Sequence, residues 1–442
     1  MGKSRRQFFK EVGLGIGSLG VFGMLNKDAR AALDSKIKEV KSIPAKKVAE
    51  DEDFWFYVQQ AFNIDRSFIN LNNGGVHPAP KIVIDAVKRY MDFSNGAPAH
   101  NSWRVLRHRK ELIRKRLADT FGCSPEEIAI TRNVTESMQI ALLGLELKKG
   151  DEVLTTTHDY PSMKNALYQR QMREDIKVST FSFPYPPKNL NVLTDLFKEN
   201  ITPKTKLILL CHITNLSGQI FPVRDICRLA KERGIEVVID GAHSFGHFVY
   251  ERNDLECDIY GANLHKWMMG PIGTGFLYVK KEKIKKIWPL FPAPEPDSDD
   301  IRKFEHVGTQ PEALKLALGD ALTFHYGIGG KRKEERLRYL RNYWAKEIEQ
   351  LPGVTILTSY DPEQSCGIGA FSLEKKDIRK LQQQLLEKLK VYTITVGIPS
   401  PLQGEENITG MRVTPSIYTT LAELDIFIDG VKNFIKTGSV CL

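Results

Sequence analysis

The chain has 442 residues, 42% of them hydrophobic and 26% charged, a balance that provides a large buried core and is that of a globular protein rather than a disordered or membrane one. Its 63 Lys and Arg against 54 Asp and Glu give a net charge of +9, and its six cysteines stand at 123, 211, 227, 257, 366 and 441. They form no C-x-x-C pair, which excludes a zinc ribbon and a disulfide scaffold, and no run reaches the roughly 20 apolar residues of a spanning helix.

The N-terminus reads SRRQFFK, then a Gly-rich apolar stretch from Val12 to Leu25, then Asp28-Ala-Arg-Ala-Ala32. A basic region, a short apolar region and a small-residue site in that order describe an export signal. The Arg5-Arg6 pair followed by Phe8 and Lys10 resembles the twin-arginine type, which carries folded proteins. Residues 1–31 are therefore expected to direct the protein to the periplasm, with a cytoplasmic location as the alternative. The same stretch holds Gly15-Ile-Gly17-Ser-Leu-Gly20, a match to the dinucleotide fingerprint. That fingerprint has meaning only between a strand and a helix, so a nicotinamide enzyme is rejected. Six of the basic residues lie in this segment against Glu11 and Asp28, and the remaining charge is too thinly spread to build a nucleic-acid groove.

Residues 32–68 are Lys-rich and then aromatic, and read as a linker leading into an amphipathic helix. Apolar spacings of three and four predict helices over 80–94, 103–121 and 134–148. Strand-like runs follow at 128–131, 152–156, 178–183, 206–211, 236–239, 258–261 and 275–279. Pro222 opens a further helix that stops near Gly234. Alternation of this kind predicts an α/β fold, a mainly parallel sheet covered on both faces in a large domain over 69–310. A Pro- and Asp-rich loop over 291–300 precedes a connecting helical region over 311–350, interrupted at Gly327–Gly330, and 351–442 form a smaller C-terminal α+β domain.

Three segments fall at strand ends, where open α/β sheets bind ligands. "VVIDGAH" places the Asp240 carboxylate at the sheet's edge with His243 beyond it. "NLHKWMMGPIGTG" carries Lys266 in an apolar, Gly-rich turn, where poor solvation makes an amine a better nucleophile. "TRNVTES" runs from a strand into a helix and offers free N–H groups to a phosphate at Thr135 and Glu136. A lysine, a carboxylate and an anion site are the groups that pyridoxal 5'-phosphate (PLP) requires. His243 and His247, four apart, suggest a metal pair, but no third ligand accompanies them at a recognisable spacing.

From about Asn70 onward the chain resembles the class V aminotransferase-fold enzymes of the type I PLP group, which include cysteine desulfurases and isopenicillin N epimerase. "VVIDGAHSFGH" and "YGANLHKWMMGPIGTGFLYV" carry most of the likeness. The resemblance implies that Lys266 attaches the cofactor, that Asp240 pairs with its ring nitrogen, and that His243 and Asn215 lie near its ring oxygen. It places Thr135, Asn263 and His265 at the phosphate. Tyr160 would stack on the ring, or His158 if the match slips by two. Thr309 would reach a partner subunit's phosphate in a homodimer with shared sites, and Arg412, with Asn73, would hold the carboxylate of an amino-acid substrate. The stretch at 100–103 is a candidate pocket wall. Cysteine desulfurases carry a nucleophilic cysteine shortly before that arginine, whereas residues 395–410 here hold none. The opening "NLNNGGVHPAP" looks closer to the epimerase branch, so an aminotransferase- or epimerase-type reaction through a Cα carbanion is expected. The alternatives are a C–S or β-elimination lyase and a non-catalytic binding module.

Overall fold

The structure is a computed structural model that describes residues 31–401 and 405–440; all but the last residue of the expected signal over 1–31 lies outside the described residues. After the two-residue strand β1 (Ile69–Asn70), the large domain is built on β2 (Ile128–Thr131), β3 (Glu152–Thr156), β4 (Lys177–Phe181), β5 (Thr205–Cys211), β6 (Glu236–Asp240), β7 (Ile259–Asn263) and β8 (Gly275–Val279). They form a seven-stranded sheet of order β2-β8-β7-β6-β5-β3-β4. Only β8 runs against its neighbours. Central strands read as nearly unbroken apolar runs because both faces are covered. Ile208, Leu210 and Ile239 pack with Phe121, Phe197 and Phe276 on one face, while Leu207, Leu209 and Val238 meet Met138, Leu167 and Ile259 on the other.

The small domain closes around an antiparallel sheet of order β12-β13-β10-β9, made of β9 (Val354–Ile356), β10 (Gly369–Leu373), β12 (Ile394–Ile398) and β13 (Ile408–Val413). The short β11 (Val391–Tyr392) instead pairs in parallel with β1, so the chain just before the site is tied to the C-terminal part. Trp344, Phe371 and Phe427 centre this second core. Two long helices, Glu312–Ile328 and Gly330–Glu349, join the parts, and Gly329 at φ +92° makes the break that a side chain would resist.

Two expectations differ from what is seen. The helix expected within residues 32–68 is present as Glu52–Gln60, but what precedes it is not a linker: a helix over 31–39 and Ala45–Ala49 also pack on the body, and together they bury Leu33, Val40, Val48, Phe54, Trp55 and Val58 beside Trp267 and Leu337. Interleaved lysines hid the apolar spacing of Leu33, Ile37 and Val40. The helix expected over 134–148 ends at Gly144, where a Cβ would stand 2.3 Å from the Trp288 carbonyl oxygen.

One buried ion cluster fastens the segment leading to Thr309. Glu305, closing the turn Ile301–Glu305, accepts from Arg114 Nη1 at 2.5 Å, Lys110 Nζ at 2.5 Å and the Ile130 amide at 2.7 Å. Burial opposes its ionisation, but the two cations outweigh burial and hold the carboxyl below its ordinary value. Its contribution is therefore full above the ordinary carboxyl range and is lost as pH falls through the lowered value. Glu305→Ala leaves buried Arg114 with Glu111 as its remaining carboxylate and strands the Ile130 amide, and urea unfolding is expected to show a loss of about 1–3 kcal/mol.

Candidate active site

The carboxyl ends of β5, β6 and β7 deliver Cys211, Asp240 and Asn263 to one cavity of about 360 Å³, with Cys211 and Asp240 paired in register. Two turns complete it, and both depend on close approach. A Cβ on Gly241 would lie 1.9 Å from the Tyr260 hydroxyl, and one on Gly246, at φ +74°, would lie 2.9 Å from the Met268 amide. The turn after Asp240 can therefore lie directly on the turn that carries Lys266. The result is a contact of 2.8 Å between Lys266 Nζ and His243 Nε2.

Burial governs the electrostatics here. It pushes the Asp240 carboxyl upward, opposed by the Ala242 N–H bond at 2.9 Å and the Lys266 charge. It also pushes the Lys266 amine below the ordinary lysine value, with Arg412 adding to the effect and Asp240 opposing it. The His243 imidazole is held well below its usual value, first by burial and then by the Lys266 and Arg412 charges, so it is neutral. Its Nδ1 is buried without a partner.

The anion corner lies at the N-terminus of the helix Val134–Gly144. Asn263 Oδ1 accepts the Val134 N–H at 2.9 Å and Asn133 Oδ1 accepts the Glu136 N–H at 2.9 Å. The Thr135 amide between them has no partner among the described residues, and Thr135 lines the cavity with His265 and Gly273. The His265 Nδ1–H donates to the Thr274 carbonyl at 3.0 Å, which leaves Nε2 for a ligand. These features fit PLP. An open helix N-terminus suits its phosphate, a buried carboxylate with one hydrogen bond suits its ring nitrogen, an unpartnered imidazole nitrogen lies beside them, and a lysine amine stands in the wall.

Of the residues singled out in the sequence, Thr135, Tyr160, Asn215, Asp240, His243, Asn263, His265 and Lys266 line this cavity together. Arg412, on β13, lies just behind the wall. Its Nη1 donates to the Asn215 carbonyl at 2.8 Å and its Nη2 to Asn72 Oδ1 at 2.6 Å, leaving a second N–H on each nitrogen for a carboxylate.

Others fall elsewhere. The Glu136 side chain turns back to Arg132, accepting from its backbone N–H at 2.7 Å and its Nη2 at 2.9 Å, so it serves the turn and not the cavity. Asn73 is fully buried and spent internally: its amide donates to the Asn70 and Thr414 carbonyls, and its Oδ1 accepts from Tyr418 and Asn70. The neighbour that reaches Arg412 is Asn72, one residue earlier, which the sequence reading passed over. His158 packs against Phe183 at 4.1 Å, outside the cavity wall that Tyr160 joins. Residues 100–103 do not line the cavity, and Trp103 is 46% exposed. Thr309 stands exposed in the bend after Glu305 and does not reach this chain's own cavity. His247 is turned away from the cavity and is packed face to face with Trp267.

The two asparagines separate by experiment. Asn73→Ala is expected to lower stability by about 1–3 kcal/mol in urea unfolding, since it strands several buried partners. Asn72→Ala removes one bond, to Arg412, and is expected to cost about 0.5–1.5 kcal/mol and to raise KM for a carboxylate substrate about tenfold, with kcat less affected.

The aminotransferase class-V family model matches residues 69–427. Isopenicillin N epimerase of Streptomyces clavuligerus is 26% identical over 398 residues, covering 85% of this chain and 97% of its own length. A probable cysteine desulfurase of Synechocystis is 27% identical over 413 residues, covering 86% and 95%. Among solved structures, the apo cysteine desulfurase of Thermococcus onnurineus superposes with a TM-score of 0.74 at 22% identity, covering 86% of this chain and 97% of that one. The cystine C–S lyase C-DES, solved with its product cysteine persulfide, gives 0.72 at 23%, covering 83% and 97%, and shares the fold. The match runs through both domains and all the cavity strands, and the chain belongs to the class V aminotransferase family of PLP-dependent enzymes.

Proposed function

We propose that the protein acts at the α-carbon of an amino acid, in a reaction of the aminotransferase or epimerase type. The contact between Lys266 Nζ and His243 Nε2, in a cavity that also holds Asp240 and backs onto Arg412, carries this reading. Bound PLP supplies the carbonyl that captures an amine and the electron sink that makes a Cα proton removable. The chain supplies the rest. Asp240 holds a proton at the ring nitrogen, Thr135, Asn263 and His265 hold the phosphate, and Arg412 with Asn72 orients the substrate carboxylate. Lys266, its amine kept below the ordinary lysine range, is the base for the Cα proton. Neutral His243 accepts a hydrogen bond from that amine and fixes its direction.

Persulfide sulfur transfer is disfavoured by the residues present. No cysteine lies in 395–410, and Cys211, the cysteine in the cavity wall, has its thiol pushed well up by burial and bonded to the Ile213 carbonyl at 2.9 Å. Two further parts of the reading concern assembly and address. A homodimer with shared sites accords with Thr309 standing exposed outside its own cavity, and with exposed Ile272 and Val76 at the cavity's edge. Export accords with the Arg5-Arg6 segment; replacing both by lysine is expected to leave the protein in the cytoplasm on cell fractionation.

The deciding measurement is the visible spectrum of PLP-loaded protein during titration with L- and D-amino acids. A yellow band that shifts with particular amino acids, and is missing from Lys266→Ala, is the expected result. Conversion of the cofactor to its amine form marks transamination, retention with inverted product marks epimerisation, and release of a keto acid and ammonia marks the lyase. A chain that cannot be loaded with PLP overturns the reading. Because the amine is lowered, covalent loading is expected to proceed at a lower pH than with a surface lysine.

A further inference from the structure

Lys266 has a second buried amine behind it. Lys333, on the helix Gly330–Glu349, is 2% exposed, and its Nζ lies 2.7 Å from the Trp267 carbonyl oxygen and 2.9 Å from His325 Nδ1. No carboxylate bonds it among the described residues, and the ionisable groups that face it are His325, His77, His247 and Cys366. A buried ammonium without a counter-ion costs stability that an apolar side chain of the same length would not. What the amine supplies in return is a pair of directed donors, and even its neutral form has two N–H groups for the two acceptors.

The acceptor matters because Trp267 follows Lys266 in the chain. Its ring is packed on His247 at 3.8 Å and 7°. His247 in turn donates through Nδ1–H to the His243 carbonyl at 2.8 Å and accepts the Gly367 N–H on Nε2 at 2.8 Å. The residue after the cofactor lysine is thus held by its ring and by its carbonyl, and His247 also grips the backbone of the histidine that meets the Lys266 amine. We propose that Lys333 is a positioning residue for the cofactor lysine, fixing through the Trp267 carbonyl the turn that aims the Lys266 amine at His243. The proposal rests on the reading of Lys266 as the PLP attachment point. A shift of the order of 1 Å in this turn is enough to cost about a hundredfold in rate.

The test uses the full chain loaded with PLP and compares Lys333→Met and Lys333→Arg with the unsubstituted protein. Four readouts are taken: borohydride trapping mapped by peptide, the pH midpoint of the visible absorbance, kcat against KM, and thermal stability. Lys333→Met is expected to trap PLP on Lys266 and to move the absorbance midpoint. Its kcat should fall about ten- to a hundredfold, with KM within about threefold, and Lys333→Arg should recover part of it. A Lys333→Met protein with unchanged midpoint and kcat overturns the proposal, as does one that loses thermal stability while its midpoint stays in place. If Lys333→Met does not fold, Lys333→Gln, which keeps a polar end but is shorter than the lysine that reaches the Trp267 carbonyl, is measured instead; its midpoint is expected to move in the same direction, and an unmoved midpoint overturns the proposal. Failure to trap PLP on Lys266 in the unsubstituted chain refutes the underlying reading instead.

Discussion

The site depends on the close packing of two turns, the one after β6 and the one between β7 and β8. Glycines at 241 and 246 let the backbones approach where a Cβ would collide with the Tyr260 hydroxyl or the Met268 amide. The approach does two things at once. It sets the His243 imidazole against the Lys266 amine, and it removes water from both. Loss of water then lowers the lysine, raises the carboxyl of Asp240 and keeps the histidine neutral, so packing and electrostatics have one cause. A chain with these side chains on loosely packed turns would carry the same residues with ordinary ionisation.

The small domain contributes through a different constraint. Arg412 comes from β13, in a sheet separate from the one that carries Asp240, yet it is buried against Asn215 after β5 and Asn72 after β1. Pairing of β1 with β11 keeps the segment around Asn72 attached to the C-terminal part. The guanidinium therefore sits where three chain segments converge, on a support separate from the sheet that carries Asp240.

What was legible in the sequence divides along the same line. Asp240, Lys266 and the helix at Thr135 follow from local pattern, because an apolar run ending in Asp-Gly, or a lysine in a Gly-rich turn, has only a few places to go in an open sheet. The seven strands of the large sheet were legible for the same reason, as continuous apolar runs between turn residues. Asn72 was not. It differs from Asn73 only in which of two adjacent amides meets a partner 340 residues away, and no local signal separates them. Glu136 misled for a related reason: its N–H was expected to be free for an anion, but the capping side chain of Asn133 takes it, and its carboxylate turns back to Arg132. The folded segment ahead of Glu52–Gln60 was hidden by lysines whose stems lie along the surface while Leu33, Val40 and Val48 point inward.

The grip on Trp267 extends this argument from which residues reach the cavity to what holds them there. Residue 267 carries no reactive group, and its sequence context gives no hint that its carbonyl matters. Yet it takes a donor from a helix 66 residues on, and its ring is covered by a histidine that the sequence suggested for a metal. The bonds of His247 fix its tautomer, with the proton on Nδ1 toward the His243 carbonyl and the lone pair on Nε2 toward Gly367. A ring so fixed is unavailable to a metal without breaking two buried hydrogen bonds. The i, i+4 spacing of His243 and His247 is thus the spacing of one turn braced twice: its first histidine meets the amine, and its second holds the backbone that makes the meeting possible.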